Sequence, residues 1–259
     1  MTEQQGEERL TGGNVTSVYR SGDTVRRERK SGSARIQQLL NHLEEKGYSY
    51  APKFLGMDEQ GREVLSYIWG EAGNYPLKKY MLSDNVLADI ANMLRHYHET
   101  VSDFPFSDEW ESLDGTPDQR EVVCHNDFAV YNIIFNDEKP VGIIDFDVAA
   151  PGPKIWDVAY TLYTCVPLSR FSYTEAGKMI ADDERIKQRI ELFFNAYHLE
   201  KLDKDLMKLV VLRLQALCET MTRKASEGDR AFQGMIKEGH LDHYQKDIAF
   251  IQTYGHAWV

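Results

Sequence analysis

The sequence has few cysteines, no long apolar run and no excess of positive charge, and each shortage excludes a class of protein. Its three cysteines are scattered over 259 residues, without the close pairs that bind zinc or build a disulfide framework, so we expect reduced thiols. No apolar stretch approaches the ~20 residues of a membrane span, and residues 1–8 form an acidic segment without an apolar signal core. These absences favour a cytoplasmic protein.

The formal net charge of −11 argues against nucleic-acid and membrane partners, because both kinds of binding need positively charged surface. An acidic protein suits a cationic substrate, although acidity can also serve solubility alone. Nothing in the sequence indicates an oligomeric state. Six acidic residues are candidates either for a cationic pocket or for solvated helix faces: Asp182, Asp183, Glu184, Glu219, Glu227 and Asp229.

The pattern of apolar residues predicts two regions of different structure. Strands are indicated at residues 15–20, 24–29, 54–57 and 63–68, with one helix at residues 33–46 after the second strand. Residues 69–76 break all periodicity, which is typical of a linker. Beyond them the chain is mainly helical. We therefore expect an α+β fold with an N-terminal lobe at residues 1–70 and a C-terminal lobe at residues 71–259.

One β-hairpin interrupts the helical region and carries polar residues at its outer ends. A turn centred between Glu138 and Lys139 places Asn132 opposite Asp145, with Cβ atoms about 4.5–5.5 Å apart. An amide oxygen and a carboxylate at that separation can share one Mg²⁺ ion, which on nucleotide phosphates needs only one or two protein ligands. Asp127, five residues before Asn132, can orient a hydroxyl and accept its proton. This set of side chains suits phosphoryl transfer.

The two motifs of this hairpin, HNDFAVYN at residues 125–132 and IDFD at residues 144–147, resemble the signatures of the aminoglycoside phosphotransferase family. The downstream segments PGP (151–153) and WDVAY (156–160) resemble its continuation. The resemblance implies a bilobal protein-kinase-like fold, with a small antiparallel sheet and one helix in the N-terminal lobe. It implies that the larger lobe is mainly helical and contains the catalytic hairpin.

The same resemblance implies a role for each motif residue. Asp127 would be the catalytic base, and Asn132 and Asp145 would be the magnesium ligands. His125 and Asp157 would support the catalytic loop, a structural rather than a chemical role.

The N-terminal lobe departs from the pattern of kinase-like folds. Gly13 lies in a loop that resembles a degenerate phosphate-covering loop. Arg27 stands where a lysine is expected, on the inward face of its strand. The helix offers residues 35–38, without a glutamate, at the turn where one would pair with that basic residue.

The end of the strand at residues 63–68 is where such folds hold the purine. Backbone groups of Ser66, Tyr67 and Ile68 are candidates for hydrogen bonds to the purine edge. Backbone contacts leave no side-chain signature, so the choice between ATP and GTP stays open.

These features together predict an enzyme that transfers the γ-phosphoryl group of ATP or GTP, with Mg²⁺, to a hydroxyl of a small molecule. The family acts on aminoglycosides, macrolides, choline, amino acids and sugars, so the acceptor is open and includes cationic compounds. The departures in the N-terminal lobe support one alternative, a catalytically weak pseudokinase that binds nucleotide as a regulatory or interaction module.

Overall fold

A computed structural model of the chain describes residues 6–10, 18–107, 110–179, 182–199 and 205–259. The fold is α+β and bilobal, as predicted. No helix in these ranges is both long enough and apolar enough to cross a membrane. The three cysteines, Cys124, Cys165 and Cys218, are buried and unpaired.

The first lobe is an antiparallel sheet with one helix. Its strand order is β1-β2-β3-β5-β4, and the helix α1 begins at Ser33 and turns its apolar residues into the core. The elements are β1 (Glu8–Leu10), β2 (Val18–Ser21), β3 (Thr24–Arg27), α1 (Ser33–Glu45), β4 (Phe54–Met57) and β5 (Glu63–Ser66).

The second lobe is mainly helical, with a small three-stranded sheet at its centre. The sequence did not predict its strands at residues 71–72, 150–152, 172–174 and 177–179 or its helix at residues 230–237. The elements are β6 (Glu71–Ala72), α2 (Asp84–Thr100), β7 (Val122–Cys124), β8 (Ile133–Asn136), β9 (Lys139–Ile143), β10 (Ala150–Gly152), α3 (Lys154–Cys165), β11 (Ser172–Thr174), β12 (Gly177–Met179), α4 (Asp183–Tyr197), α5 (Leu206–Ser226), α6 (Arg230–Lys237) and α7 (His240–Tyr254).

The segment interpreted as a linker, residues 69–76, also contributes a strand to the three-stranded sheet of the second lobe. Its strand β6 pairs antiparallel with β8, and glycines flank it because the backbones approach closely. A Cβ atom at Gly70 would lie 2.3 Å from the carbonyl oxygen of Phe135, and one at Gly73 would lie 2.2 Å from that of Val130. The boundary between the lobes at residue 70 stays a prediction.

The predicted register of the catalytic hairpin is wrong by one residue. Ile133 pairs with Ile143, and a bulge follows Ile134. The turn falls at Asp137 and Glu138, both with positive φ, as two-residue hairpin turns require. Asn132 therefore does not face Asp145 across a ladder. It ends a short 3₁₀ turn, and its carbonyl accepts the N–H of Ile144.

Candidate active site

Asp127 lies at the centre of the site, half-buried, with both carboxylate oxygens hydrogen-bonded. The hydroxyl of Tyr131 donates to Oδ1 at 2.6 Å, and the amide Nδ2 of Asn132 donates to Oδ2 at 2.7 Å. Burial raises the pKa of Asp127 to about 6, although these two hydrogen bonds act to lower it. The carboxyl group is thus mostly ionised at neutral pH and can accept a proton.

Asn132 is oriented by the bonds it makes to Asp127. Its Nδ2 donates to both the carboxylate and the backbone carbonyl of Asp127, at 2.7 and 3.0 Å. An amide has its donors on nitrogen and its acceptor on oxygen, so Oδ1 is the atom left to bind a cation. The 3₁₀ turn at Val130–Asn132 places this side chain beside the start of β8.

Asp145 follows β9 with φ of 67°, an uncommon backbone conformation that Asp tolerates better than most residues. The residue as a whole is exposed, but its carboxyl group lies among neighbouring protein atoms. Partial burial of this group, and then the like charge of Asp147, raise the pKa of Asp145. A divalent cation would relieve this repulsion, and the residues therefore fit one.

Side chains of the described residues do not by themselves complete a metal site. Among the residues that the structure describes, no group of three or more His, Cys, Asp or Glu side chains is arranged to hold a metal ion. Asn132 and Asp145 offer only hard oxygen ligands. Such a pair suits Mg²⁺ that brings phosphate oxygens and water as its other ligands.

Asp157 accepts hydrogen bonds from the backbone of the loop that contains Asp127. It is wholly buried, and it accepts the N–H groups of His125 and Asn126, each at 2.7 Å. His98 of α2 lies 3.0 Å from the same carboxylate. Burial opposes ionisation, yet the hydrogen bond from His98 and the other contacts keep the pKa of Asp157 below its ordinary value.

His125 packs inside the lobe rather than at its surface. Its ring is fully buried, 4.5 Å from that of Phe146 between centroids, and its Nδ1 accepts the N–H of Asp127. Burial lowers the pKa of His125 to about 4, so the ring is neutral. His125 and Asp157 thus contact the backbone of residues 125–127, and their supporting role stays a prediction.

Arg27 lies between two carboxylates. Its Nε is 2.8 Å from Glu63 on the neighbouring strand β5, and one terminal nitrogen is 2.6 Å from Asp147 in the C-terminal lobe. Gln37 of α1 donates to the second oxygen of Glu63 at 2.7 Å. Glu63 is therefore the carboxylate that pairs with Arg27, where a glutamate of the helix was expected. The helix contributes the side-chain amide of Gln37, which donates to Glu63.

Residues 66–68, the candidates for purine contact, have fewer backbone groups available for a purine than the sequence predicts. The N–H of Ser66 donates to Lys53, and that of Tyr67 donates to Asp23. Ile68 packs against the position of Gly142 in the catalytic hairpin. Any purine contact in this segment thus depends on Ile68 and on the carbonyl oxygens. The remaining nucleotide-site candidate, Gly13, lies outside the described residues.

A group of aromatic hydroxyls adjoins Asp127. The hydroxyl of Tyr160 lies 2.9 Å from that of Tyr131, and the guanidinium of Arg213 lies 4.6 Å from the centre of the Tyr160 ring. Arg213 also donates to the carbonyl of Asn126 at 2.6 Å. Helices α3 and α5 thus bring polar and aromatic groups to the catalytic loop.

Four of the six acidic candidates have local structural roles. Asp182 and Asp229 cap the first turns of α4 and α6. Asp183 accepts the indole N–H of Trp258, and Glu227 pairs with Arg223 on the same helix. These contacts favour the alternative that the sequence left open, in which the acidic residues serve the helices and their solvated faces.

The sequence interpretation missed several residues of the site. Tyr131 directly precedes Asn132 in the motif, and Glu63 is the cross-strand neighbour of Arg27 once β3 and β5 are paired. The sequence does not indicate that His98 belongs to the site, because its contact with Asp157 joins residues 59 positions apart.

Comparison with known proteins agrees with this geometry. The model of the phosphotransferase enzyme family (APH) matches residues 103–186, a range that contains both motifs. The trifolitoxin immunity protein of Rhizobium leguminosarum bv. trifolii is 36% identical over 148 residues. That alignment spans 55% of the chain and 55% of the relative, so the chain matches only about half of this protein.

Solved structures resemble almost the whole chain. A GDP complex of aminoglycoside 2'-phosphotransferase-IIIa superposes with a TM-score of 0.63 at 16% identity, covering 95% of this chain and 93% of the other. Choline kinase from Cryptosporidium parvum Iowa II gives 0.61 at 11% identity, covering 99% and 92%. At such identities the likeness establishes the fold. The resemblance seen in the sequence is thereby confirmed: residues 103–186 match the phosphotransferase enzyme family (APH), and the chain has the kinase-like fold of these solved structures.

Proposed function

We propose that the protein transfers the γ-phosphoryl group of ATP or GTP to a hydroxyl group of a small molecule, with Mg²⁺. The observation that carries this proposal is the arrangement of Asp127, Asn132 and Asp145. Asn132 donates through Nδ2 to Asp127, which leaves Oδ1 for a cation, and the charge of Asp145 is near enough to help raise the pKa of Asp127. These contacts support a proton acceptor next to an amide and a carboxylate that would hold a hard cation.

In this proposal Asp127 orients the acceptor hydroxyl and takes its proton as the hydroxyl oxygen attacks the γ-phosphorus. The bond to the β-phosphate oxygen breaks, and the nucleoside diphosphate leaves. Mg²⁺, held by Asn132 and Asp145, would neutralise charge on the phosphate oxygens. Positioning and charge neutralisation supply most of the catalysis in phosphoryl transfer, which matches a site with few chemically active groups.

Two departures from the kinase pattern do not remove the basis for catalysis. Arg27 replaces lysine, but it keeps a positive charge, and Glu63 and Gln37 hold it from one side. Arginine binds phosphate well through its planar donors. The altered ion pair therefore supports a rearranged nucleotide site rather than a lost one.

A second candidate function is neutralisation of a toxic compound by binding alone, as a catalytically weak pseudokinase. The partial similarity to a protein named for trifolitoxin immunity supports it. Phosphoryl transfer would require the carboxylate of Asp127, whereas binding alone would not. Substitution of this residue separates the two functions.

The test is a nucleotide-consumption screen with ATP and GTP over hydroxyl-bearing acceptors, including aminoglycosides, choline, sugars and peptides. We expect at least one acceptor to raise consumption in a Mg²⁺-dependent way, and Asp127→Asn to abolish the increase. Asp89→Asn, an exposed change on α2, is the matched control. If no acceptor is turned over and neither nucleotide raises the melting temperature, the proposal is wrong.

A further inference from the structure

A charge cluster joins the two lobes two residues beyond Asp145, and of its members the proposed function uses only Arg27. Lys30 lies in the loop between β3 and α1, and its ammonium is 2.5 Å from Oδ2 of Asp147. Arg27 contacts the other oxygen, Oδ1, at 2.6 Å. One carboxylate of the C-terminal lobe thus holds two cations of the N-terminal lobe.

Lys30 is placed by its backbone and not by its side chain alone. Its N–H donates to the hydroxyl of Ser33 at 2.9 Å, and its carbonyl accepts the N–H of Ser33 at 3.1 Å. These reciprocal bonds fix Lys30 to the first turn of α1. The ammonium of Lys30 and the guanidinium of Arg27 contact the same carboxylate, that of Asp147, although the two residues are three positions apart along the chain.

The two carboxylates around Arg27 differ in how easily they can be replaced. Glu63 is 1% exposed and is held by Gln37 on its second oxygen, so its removal from Arg27 would leave a buried charge unpaired, at a high cost. Asp147 is 19% exposed and lies two residues beyond Asp145. A competing anion would therefore displace Asp147 and leave Glu63 in place.

We propose that Arg27 and Lys30 together form the triphosphate subsite, and that Asp147 competes with the nucleotide phosphates for both cations. The inference rests on the proposed nucleotide site and deepens it. It assigns Lys30 as a phosphate-binding residue that the family motifs do not indicate. It also assigns Asp147, next to a metal ligand, a role distinct from metal binding: an internal anion that sets the affinity of the cleft for polyphosphate.

The test measures binding of inorganic tripolyphosphate to the full chain by calorimetry in the presence of EDTA, without any acceptor or divalent cation. Asp147→Asn removes the competing charge at constant size and should tighten binding roughly tenfold, the effect of losing one charged hydrogen-bonded competitor. Asp137→Asn, an exposed change in the hairpin turn, controls for the change in net charge and should leave the affinity unchanged.

Lys30→Met provides the second variant, at an exposed side chain where misfolding is not expected. It should weaken tripolyphosphate binding, and Asp147→Asn should gain less affinity in its presence than in the wild-type background. An unchanged or lower affinity in Asp147→Asn overturns the inference, as does an unaltered affinity in Lys30→Met.

The same variants distinguish this inference from the proposed function. If tripolyphosphate responds as described but no acceptor is phosphorylated, the subsite stands and catalysis does not. If Asp147→Asn leaves tripolyphosphate binding unchanged and weakens only Mg²⁺-nucleotide binding, Asp147 is a metal ligand and the inference is wrong.

Discussion

Removal of the Asp157 carboxylate should destabilise the protein strongly, because three groups depend on it. Asp157→Ala leaves the N–H groups of His125 and Asn126 without their acceptor inside the lobe, and it deprives His98 of its partner. An unsatisfied buried donor costs about 1–3 kcal/mol, and the two backbone N–H groups that lose Asp157 are both buried. We therefore expect the free energy of unfolding to fall by about 4 kcal/mol.

Urea unfolding followed by circular dichroism measures this change. Domains of this kind are stable by about 5–15 kcal/mol, so the variant should still fold but unfold at a much lower urea concentration. Asp89→Ala, on the exposed face of α2, is the matched control and should change stability by less than about 0.5 kcal/mol. A loss below about 1 kcal/mol in Asp157→Ala would refute the bracing role.

Two further predictions concern stability. Gly73→Ala should destabilise the protein by about 3 kcal/mol, because the new Cβ atom would lie 2.2 Å from the carbonyl oxygen of Val130. Gly234→Ala is the control: this position lies in α6 with open space around it, so the change should stabilise the protein by about 1 kcal/mol. Similar effects of the two substitutions in urea unfolding would contradict the packing argument. Buried His125 takes up a proton at about pH 4 when folded but at 6.5 when unfolded, so acid favours unfolding: stability should fall by about 3 kcal/mol between pH 6.5 and 4. His125→Phe should flatten that decline, and an unaltered pH dependence would show that another group causes it.

Strands β2–β5 and helix α1 of the first lobe, and the hairpin that carries the two motifs, could be predicted from the sequence because their signals are local. The apolar spacing of α2 and the glycine-bounded strands of the first lobe lie within short windows. The motif residues from His125 to Asp145 likewise lie within one hairpin. Local patterns do not determine register, however: the turn is centred between Asp137 and Glu138, one residue before the predicted centre, and the bulge after Ile134 changes the pairing again.

The contacts that complete the site could not be predicted, since they join distant parts of the chain. Glu63 reaches Arg27 from 36 positions away, and Asp147 reaches it from 120. The sequence showed a missing helix glutamate, and only the pairing of β3 with β5 shows which carboxylate takes its place. The first ion pair depends on how β3 pairs with β5 and the second on how the two lobes meet, and no single segment encodes either.

The central claim is that Asp127 acts on the acceptor while Asp145 holds the metal of the nucleotide. Calorimetric titration of the protein with ATP and with GTP, each with Mg²⁺ and with EDTA, tests it most directly in the Asp127→Asn and Asp145→Asn variants. We predict that Asp145→Asn loses roughly tenfold or more in affinity with Mg²⁺ and little with EDTA, while Asp127→Asn keeps the wild-type affinity in both. An equal loss in the two variants, or binding of both nucleotides that Mg²⁺ does not affect, would contradict the assignment.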